Sequence, residues 1–549
     1  MTGKILPILA KILLALAAVV LVTITFFYPI TGQDAHVHLN WLSQFPSLFS
    51  DGTLYPRWMP DSFSGFGSPA FYFYPPLVYW SAGLVSLTGI TEPVALYRIV
   101  SLLFLLLSAL TAYWYLKRIS FSDTASVFGA IAYAVFPYRF TDIYLRNALS
   151  EHAAFVFIPI ILISLYELHQ CNSSRLRIII ISAIGWGGLL LTNVPVSAIM
   201  IYTTIAYGVI YKLYQKQYQP KLIAFVLGSM LGVVIAATFL FPAQDLAEAL
   251  STKNLWNLQS GDHPLTGYAV IDMLHDLGVK TFYLSLIVTL VLGIWIYFYI
   301  QKSKATIWLR YLLIFVVSLQ IPYLIFPIVN FLPVLSYVQF SWRWDIWFVV
   351  AGAILAAGTI SDNKISKARY LCIMVFSVCT IALAGIYYKS QKAVKPYHEA
   401  AIAQEAPEYL PASATMPYDV NIAFLEKHRR DPQIQVISGS VGIRNREQED
   451  CATTFEASVN TTEAQLLFKR LYFPAWHLRD DRGVEYPIHS DSAGRIVATI
   501  LQGRRGYRLA IVRTNEEQIG GWLSGAGLLT LLGLGITTMI LRKRAASQQ

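Results

Sequence analysis

The chain is poor in charge, and its first polar segment holds the residues best suited to chemistry. Asp34, His36 and His38 stand at alternate positions directly after the first apolar run. A carboxylate placed there can act as a general base that takes a proton from a hydroxyl group. Asp34 can instead cap a helix that begins near His36. The two histidines can bind an acceptor, ligate a metal together with Asp34, or simply face water.

Further polar residues recur in later segments, which indicates a site assembled from several loops. Glu151 is a second candidate acid, although the helix dipole also favours an acid at a helix start. Guanidinium groups can hold a departing phosphate through forked hydrogen bonds, or can anchor a helix at the membrane surface. The candidates for holding a donor phosphate are Arg57, Arg146 and Arg343. The candidates for contacting substrate are His36, His38, Tyr74, His152, Gln339 and Trp342.

The elements that would position these residues are membrane helices. Of the 549 residues, 55% are hydrophobic and 13% are charged, proportions typical of a polytopic membrane protein. The net charge of +10 lies mostly in short segments between apolar runs, so we attribute it to membrane topology and not to nucleic-acid binding. The four cysteines form no CxxC or Cys/His array, so neither a zinc site nor a disulfide scaffold is expected.

A helix needs about 20 apolar residues to cross the hydrocarbon of a bilayer. By that measure the chain contains about twelve transmembrane helices, together with a half-span or interfacial helix at 75–89. The predicted spans are 5–28, 93–116, 124–138, 152–168, 176–192, 195–211, 222–241, 281–300, 306–326, 344–360, 368–387 and 519–541.

Basic residues set the predicted orientation of these spans. With the N-terminus in the cytoplasm, every predicted inner segment carries Lys or Arg, from Lys117 and Arg118 to the C-terminal Arg542. Both termini are therefore expected in the cytoplasm, and the candidate residues fall on the outer side. The predicted outer segments are 29–92, 138–151, 242–280, 327–343 and 388–518.

Region 389–518 is polar and is predicted to form an extracytoplasmic β-rich domain of sandwich-like form. The alternating run Ile434–Ser438 predicts a strand, and the turn signal Asp480–Gly483 separates strands. Its first part, rich in Pro and Ala, is expected to be a linker. The transmembrane domain is predicted to cover 1–388, and 519–549 to form a last transmembrane helix with a basic tail.

Six motifs, in order along the chain, carry a resemblance to a known group of membrane proteins. The acidic residue after the first span, the Pro-Pro-Leu-x-Tyr-Trp segment and Arg98 resemble the GT-C superfamily of polyprenyl-phosphate-dependent glycosyltransferases. More narrowly, the chain is similar to the membrane proteins labelled 6-pyruvoyl-tetrahydropterin synthase-related and to the YfhO-like proteins, with Ser341 and Ala475 in place of the usual Pro and Gly. The motifs are Gly52–Trp58, Phe73–Leu77, Arg146–Glu151, Gln339–Arg343, Glu408–Pro411 and Tyr472–Trp476.

The resemblance implies a GT-C-like fold with a catalytic acid in the first outer loop, a position that Asp34 occupies, and a second acidic position at Glu151. It implies an inverting glycosyltransferase of a bacterial inner membrane. Such an enzyme would move a sugar from a polyprenyl-phosphate donor to an envelope glycan or lipid. Because Ala35 and His36 follow Asp34 in place of the usual Asp-Glu or Asp-x-Asp pair, dependence on a divalent metal such as Mg²⁺ or Mn²⁺ stays open.

Two other classes of function fit a chain with many spans and outer polar residues. One is a transporter or flippase of lipid-linked intermediates, which would favour repeated halves and helices broken within the membrane. The other is a non-catalytic assembly protein of the envelope, which would depend on its β-rich domain and not on Asp34. The sequence shows no internal repeat.

Overall fold

The computed structural model describes four main stretches of the chain. They are 30–214 without 31 and 33, 220–250, 338–361 without 339 and 340, and 405–547, and scattered positions in 8–23 and 374–382 are also described. The described positions of 8–23 are helical. The predicted spans 281–300 and 306–326 lie outside the described residues, and only scattered positions of 368–387 are described.

Helices make up the first three stretches. A left-handed turn at Ser62–Gly65 and a π-helix at Thr141–Arg146 interrupt them, and a short 3-10 helix, Ser341–Asp345, precedes α13. The first seven helices are α1 (Ala35–Ser50), α2 (Ala70–Phe73), α3 (Leu77–Ser86), α4 (Pro93–Arg118), α5 (Asp123–Val135), α6 (Pro137–Phe140) and α7 (Leu149–Ala154). The next six are α8 (Phe157–Glu167), α9 (Arg175–Leu190), α10 (Val194–Tyr214), α11 (Pro220–Ile235), α12 (Ala237–Asp245) and α13 (Ile346–Ser361).

Local sequence signals explain where the membrane helices begin and end. The Glu92 carboxylate accepts hydrogen bonds from the backbone N–H groups of Val94 and Ala95, and Pro93 occupies the first turn of α4. Lys117 and Arg118 close the same helix, where their charges complement the helix dipole. With these caps, α4 covers Pro93–Arg118, close to the predicted span 93–116.

The described chain contains three helical segments long and apolar enough to cross a membrane, or four if one bent pair is a single span. The three are Pro93–Arg118, Leu149–Glu167 and Asn515–Leu541, and the bent pair is Pro220–Ile235 with Ala237–Asp245. The other described helices at predicted spans, such as Asp123–Val135, are shorter. The expected twelve spans are therefore matched only in part.

Two predicted outer segments differ from the structure. The segment 138–151 was expected to be a short loop, but it consists of helical turns in α6, the π-helix and α7. Helical turns there satisfy the backbone of a segment whose Arg139, Asp142 and Glu151 are buried. The segment 242–280 begins inside α12 and is described only as far as residue 250.

The C-terminal stretch contains a helix, a sheet and a long final helix, as expected for a β-rich domain before a last span. Its elements are α14 (Tyr418–Lys427), β1 (Ile434–Ser438), β2 (Val441–Glu449), β3 (Ala452–Leu471), β4 (Trp476–Asp480), β5 (Glu485–Tyr486), β6 (Ile488–Ser490), β7 (Arg495–Ile511) and α15 (Asn515–Ser547).

The seven strands form one antiparallel sheet in the order β1-β3-β7-β4-β5, with β2 on β3 and β6 on β7. The long strands β3 and β7 pair at its centre. At one end of this pair β2 bonds to β3 and β4 to β7, and at the other end β1 bonds to β3 and β6 to β7. Register shifts between Val459 and Glu463 divide the two ends. The expected sandwich of two sheets is thus replaced, in the described residues, by one sheet.

The sheet packs directly on the first outer loop. Trp58 of the loop meets Trp476 edge to face at 5.2 Å between ring centroids, and Tyr72 meets Phe473 at 4.7 Å. The backbone N–H of Leu471 donates to the carbonyl of Phe66 at 2.8 Å. Because these contacts join two of the six motifs in one apolar core, the loop and the sheet pack as a single layer.

Candidate functional site

Asp34 is the residue immediately before α1, and its carboxylate is not used to cap that helix. The helix begins at Ala35, yet within the described chain the Asp34 side chain makes no capping hydrogen bond. Its own backbone N–H donates to the carbonyl of Arg146 at 2.8 Å. The structure therefore does not support the capping alternative.

Three hydrogen bonds join the start of α1 to the turn that leads into α7. Besides the bond from Asp34, the Gly32 N–H donates to Oδ1 of Asn147 at 2.5 Å, and the Leu149 N–H donates to Nε2 of His38 at 3.3 Å. Asn147 occupies the left-handed region at φ 55°, which its short polar side chain tolerates. These bonds place Asp34 beside the segment that carries Arg146 and Glu151.

Glu151 is the centre of a buried ion cluster. Its Oε2 accepts from Nη1 of Arg146 at 2.9 Å and from Nε of Arg343 at 2.9 Å, while Oε1 accepts from the Tyr138 hydroxyl. Only 1% of the Glu151 side chain is exposed. A carboxylate so engaged orients two guanidinium groups, and this geometry suits a supporting role better than that of a free base.

Two of the three arginines proposed for phosphate binding are thus brought together beside Asp34. Arg146 also pairs with Asp142 at 3.2 Å, and Nη1 of Arg343 donates to the Val338 carbonyl at 2.7 Å. The charges of Arg146 and Arg343 both act on Asp34. The site therefore combines a carboxylate with guanidinium groups, as expected for a base and an anion holder.

Arg57 lies in a different place. Its Nε pairs with Glu517 of α15 at 3.0 Å, its Nη2 donates to the Thr238 carbonyl of α12 at 2.7 Å, and its guanidinium stacks on Tyr55. In this arrangement Arg57 connects the first outer loop to the last helix. Its role in phosphate binding stays a prediction to which these contacts give no support.

Of the predicted substrate-contacting residues, some lie near Asp34 and others bond elsewhere in the protein. The ring centroids of Tyr74 and Trp41 are 4.6 Å apart. Tyr74 also interacts electrostatically with Asp34, Arg343 and Glu151, so it belongs to the site. His36, half-buried, acts on Asp34 by its charge. His152 is turned away, because its Nε2 bonds the Ser101 carbonyl of α4 at 2.8 Å.

The remaining candidates fall on or next to positions that the structure does not describe. Gln339 lies outside the described residues, and the side chain of Trp342 likewise. Arg343 of the same motif pairs with Glu151. Gln339 and Trp342 both stay predictions.

Sequence reasoning missed an acidic contribution from the segment that leads into the sheet. The buried Glu405 carboxylate accepts from Nε1 of Trp41 at 2.8 Å, and Tyr409 packs edge to face on the same Trp41 at 5.7 Å. Between them, Glu408 is close enough to Asp34 for the two charges to interact. The Glu-Tyr-Leu-Pro motif marked this segment in the sequence, but its contact with α1 is visible only in the folded structure.

Burial changes the proton affinity of these groups. Burial raises the pKa of the Asp34 carboxyl, although Arg146 and Arg343 act against the rise. Burial likewise raises the pKa of Glu408 to about 7, with the Asp34 charge adding to the rise. Burial lowers the pKa of His38 to about 3, so this imidazole is neutral. A carboxylate whose pKa is raised toward neutrality is a better general base.

Among the described residues, no group of three or more His, Cys, Asp or Glu side chains is arranged to hold a metal ion. A requirement for Mg²⁺ or Mn²⁺ stays a prediction.

Comparison with known proteins gave matches among solved structures only. No family model and no curated protein matches the chain. The apo oligosaccharyltransferase of Archaeoglobus fulgidus is similar over 76% of this chain, with 11% identity and a TM-score of 0.41; the chain spans 59% of that protein's length. ArnT from Cupriavidus metallidurans, bound to undecaprenyl phosphate, is similar over 89% of this chain and 97% of its own, with 11% identity and a TM-score of 0.36.

A further structure of the archaeal enzyme, AglB in complex with an inhibitory peptide and a dolichol-phosphate, shares 12% identity over 71% of this chain and 56% of its own, with a TM-score of 0.35. At such identities and TM-scores, the functional argument for this chain rests on its own residues.

Proposed function

We propose that this protein is a membrane glycosyltransferase that moves a sugar from a polyprenyl-phosphate donor to an envelope glycan or lipid outside the cytoplasm. The observation that carries the proposal is the uncapped Asp34 carboxylate, held beside Arg146, Arg343 and Glu151 by the bond from its backbone N–H to the Arg146 carbonyl. The motif resemblance to GT-C enzymes supplies the donor class.

The proposed step follows from these positions. Asp34 takes the proton of an acceptor hydroxyl, whose oxygen attacks the anomeric carbon of the donor sugar. The bond between that carbon and the phosphate oxygen breaks, with inversion, and polyprenyl phosphate leaves. Arg146 and Arg343 stabilise the charge that develops on the leaving phosphate, and Glu151 holds both guanidinium groups in place.

The aromatic cluster of the site leaves one ring for the sugar: Trp41 and Tyr409 are buried, and Tyr74 is partly exposed. Tyr74 and Trp41 are in edge-to-face contact, and Tyr409 closes the same cluster from the segment that leads to the sheet. Flat rings of this kind pack against the apolar faces of sugars or lipid chains. The sheet domain would thus act through its linker, which covers the site.

A flippase is the second candidate, and one observation favours it. Together, α11 and α12 are long and apolar enough to form one membrane span, which is bent by 67°. Broken helices within the membrane are typical of transporters. However, the groups freed near the break are used within the protein: the Thr238 N–H donates to Ser524 Oγ at 2.8 Å, and the Thr238 carbonyl accepts from Arg57. We therefore interpret the break as a joint with α15 and prefer the transferase.

The experiment that tests the proposal uses protein purified in detergent, where no bilayer remains across which to flip a lipid. Lipid extracts that contain polyprenyl-phosphate sugars are incubated with envelope acceptor fractions, and free polyprenyl phosphate is measured. A transferase releases it. A flippase or an assembly protein leaves the donor chemically unchanged, and that result would contradict the proposal.

A further inference from the structure

His38 lies between Asp34 and the helix turn that carries Glu151, and both of its ring nitrogens are hydrogen-bonded. Its Nε2 accepts from the Leu149 N–H at 3.3 Å, so Nδ1 carries the ring proton and donates to the Tyr79 hydroxyl at 2.5 Å. The Leu149 N–H is shared with the Asn147 carbonyl, which accepts at 2.9 Å. Only 2% of His38 is exposed. The sequence placed His38 among residues that touch substrate, but the described structure gives both ring nitrogens a protein partner.

These bonds fix a specific relation between helices. His38 lies one turn after Asp34 on α1, and its backbone N–H donates to the Asp34 carbonyl at 3.1 Å. Leu149 is the first residue of α7, two positions before Glu151. A bond from His38 to Leu149 therefore ties the turn that carries Asp34 to the turn that carries Glu151, whose carboxylate holds Arg146 and Arg343.

The surroundings keep the ring in this state. Trp41 and Tyr74 pack edge to face on it at 6.0 and 6.1 Å, and the Tyr79 ring lies at 6.2 Å. Burial lowers the pKa of His38 to about 3, which preserves the Nε2 lone pair for Leu149. A neutral ring of one tautomer, packed among aromatic rings, is suited to hold geometry and unsuited to carry protons at neutral pH.

We infer that His38 is a positioning residue that sets the separation between the base Asp34 and the guanidinium groups held by Glu151. Its catalytic consequence rests on the proposed function, and its structural part rests on the three hydrogen bonds of His38. Because a small displacement of reacting groups costs a large part of the rate, loss of this bond should lower kcat more than it raises KM.

The test compares His38→Ala with His38→Gln, whose side-chain oxygen can still accept from Leu149. We expect His38→Ala to lower kcat about tenfold to a hundredfold with a change in donor KM of less than about threefold. His38→Gln should recover most of kcat. His489→Ala, on the exposed side of β6, is the control and should match the wild type. A raised KM with unchanged kcat, or equal loss in both His38 variants, would overturn the inference.

A second readout does not need activity. Hydrogen exchange of the peptide that contains Leu149 should be faster in His38→Ala than in the wild type and normal in His38→Gln. If the wild type shows no transfer but this exchange pattern appears, the proposed function fails while the positioning contact stands. If His38→Ala does not fold, His38→Gln decides alone: normal exchange and near-normal kcat support the inference, and a severe loss of kcat contradicts it.

Discussion

At the scale of single residues, carboxylates divide into those that hold other groups and those that are available for chemistry. Glu151 is the clearest holder, because two guanidinium groups and a tyrosine converge on it. Asp34 lies close by, with its capping capacity unused. Sequence reasoning selected both residues, with Asp34 as the base and Glu151 to assist or orient it, but a sequence does not show which groups Glu151 pairs with.

The pairing of Glu151 predicts a stability effect. Glu151→Gln leaves Arg146 and Arg343 buried without their carboxylate, and should lower the free energy of unfolding by about 3 kcal/mol or more. The measurement is the apparent Tm in detergent, together with turnover per folded molecule, which should also fall because the guanidinium groups lose their position.

Glu167 provides a matched control for this prediction. It is equally buried and accepts from Arg118 at 2.5 Å and from Ser173 at 2.6 Å, at the opposite end of the segment 149–167. Glu167→Gln should lower the apparent Tm less, because Arg118 is 31% exposed and can be hydrated, and should leave turnover per folded molecule near that of the wild type. An unchanged Tm in Glu151→Gln would contradict the described ion cluster.

At the scale of elements, contacts between distant segments join the first loop, the sheet and α15. Arg57 ties the first loop to α12 and α15, and Gly520 lets α15 approach closely, since a Cβ there would lie 2.5 Å from the Ala237 carbonyl. Glu517 and Thr514 cap each other at the start of α15. No local pattern in the sequence shows that Arg57 and Glu517 meet, so the arginine was grouped with those for phosphate.

Arg57 therefore predicts a stability effect and not a binding effect. Arg57→Gln should lower the free energy of unfolding by about 3 kcal/mol, because Glu517 is left buried and unpaired. Arg57→Gln combined with Glu517→Gln should recover part of that loss. Apparent Tm values and the affinity for polyprenyl phosphate are measured for both. A phosphate role would instead weaken the affinity in both variants alike.

The linker over α1 predicts a pH effect. Burial raises the pKa of Glu405 to about 7, above its ordinary value of 4.5, and likewise that of Glu408. The folded linker therefore binds more protons than the unfolded one between those values, and its docking weakens as the pH rises through that window. Hydrogen exchange at 405–411, corrected for intrinsic rates, should be slower at about pH 5.5 than at about pH 8.

Glu405→Gln keeps an acceptor for Trp41 but has no charge to bury, so it should slow exchange at high pH and reduce the pH dependence. Glu463→Gln, an exposed position of β3, should leave both unchanged. Equal exchange at the two pH values in the wild type would contradict a linker docked through buried carboxyl groups.

At the scale of the whole molecule, the sequence predicted the kinds of parts well and their contacts poorly. Apolar runs and caps located α4, the segment 149–167 and α15, and alternation located strands such as β1 and β7. The bent pair α11–α12 was read as one span, because nothing in its apolar run marks the turn at Ala236. The single sheet and the return of the linker to α1 depend on long-range pairing, which periodicity does not encode.

The assembled molecule places the Asp34 carboxylate near two guanidinium groups and Tyr74, at the junction of helices and sheet. The central claim is that this carboxylate, Asp34, is the base of a transfer reaction. Asp34→Asn keeps the shape and the backbone N–H bond to Arg146, so the fold should persist while the base is lost.

The most direct measurement is the release of free polyprenyl phosphate from a polyprenyl-phosphate sugar. It compares the wild type with Asp34→Asn and Asp61→Asn, after the apparent Tm has shown that each variant is folded. Asp61 lies in the same predicted outer loop. Its backbone N–H donates to Oε1 of Gln44 and its carbonyl accepts from the Gly65 N–H, and neither bond uses the carboxylate, so its variant serves as the control. We predict that Asp34→Asn lowers turnover by about 10² to 10⁴ and that Asp61→Asn leaves it near the wild-type value. Turnover at the wild-type rate in a folded Asp34→Asn protein would contradict the account.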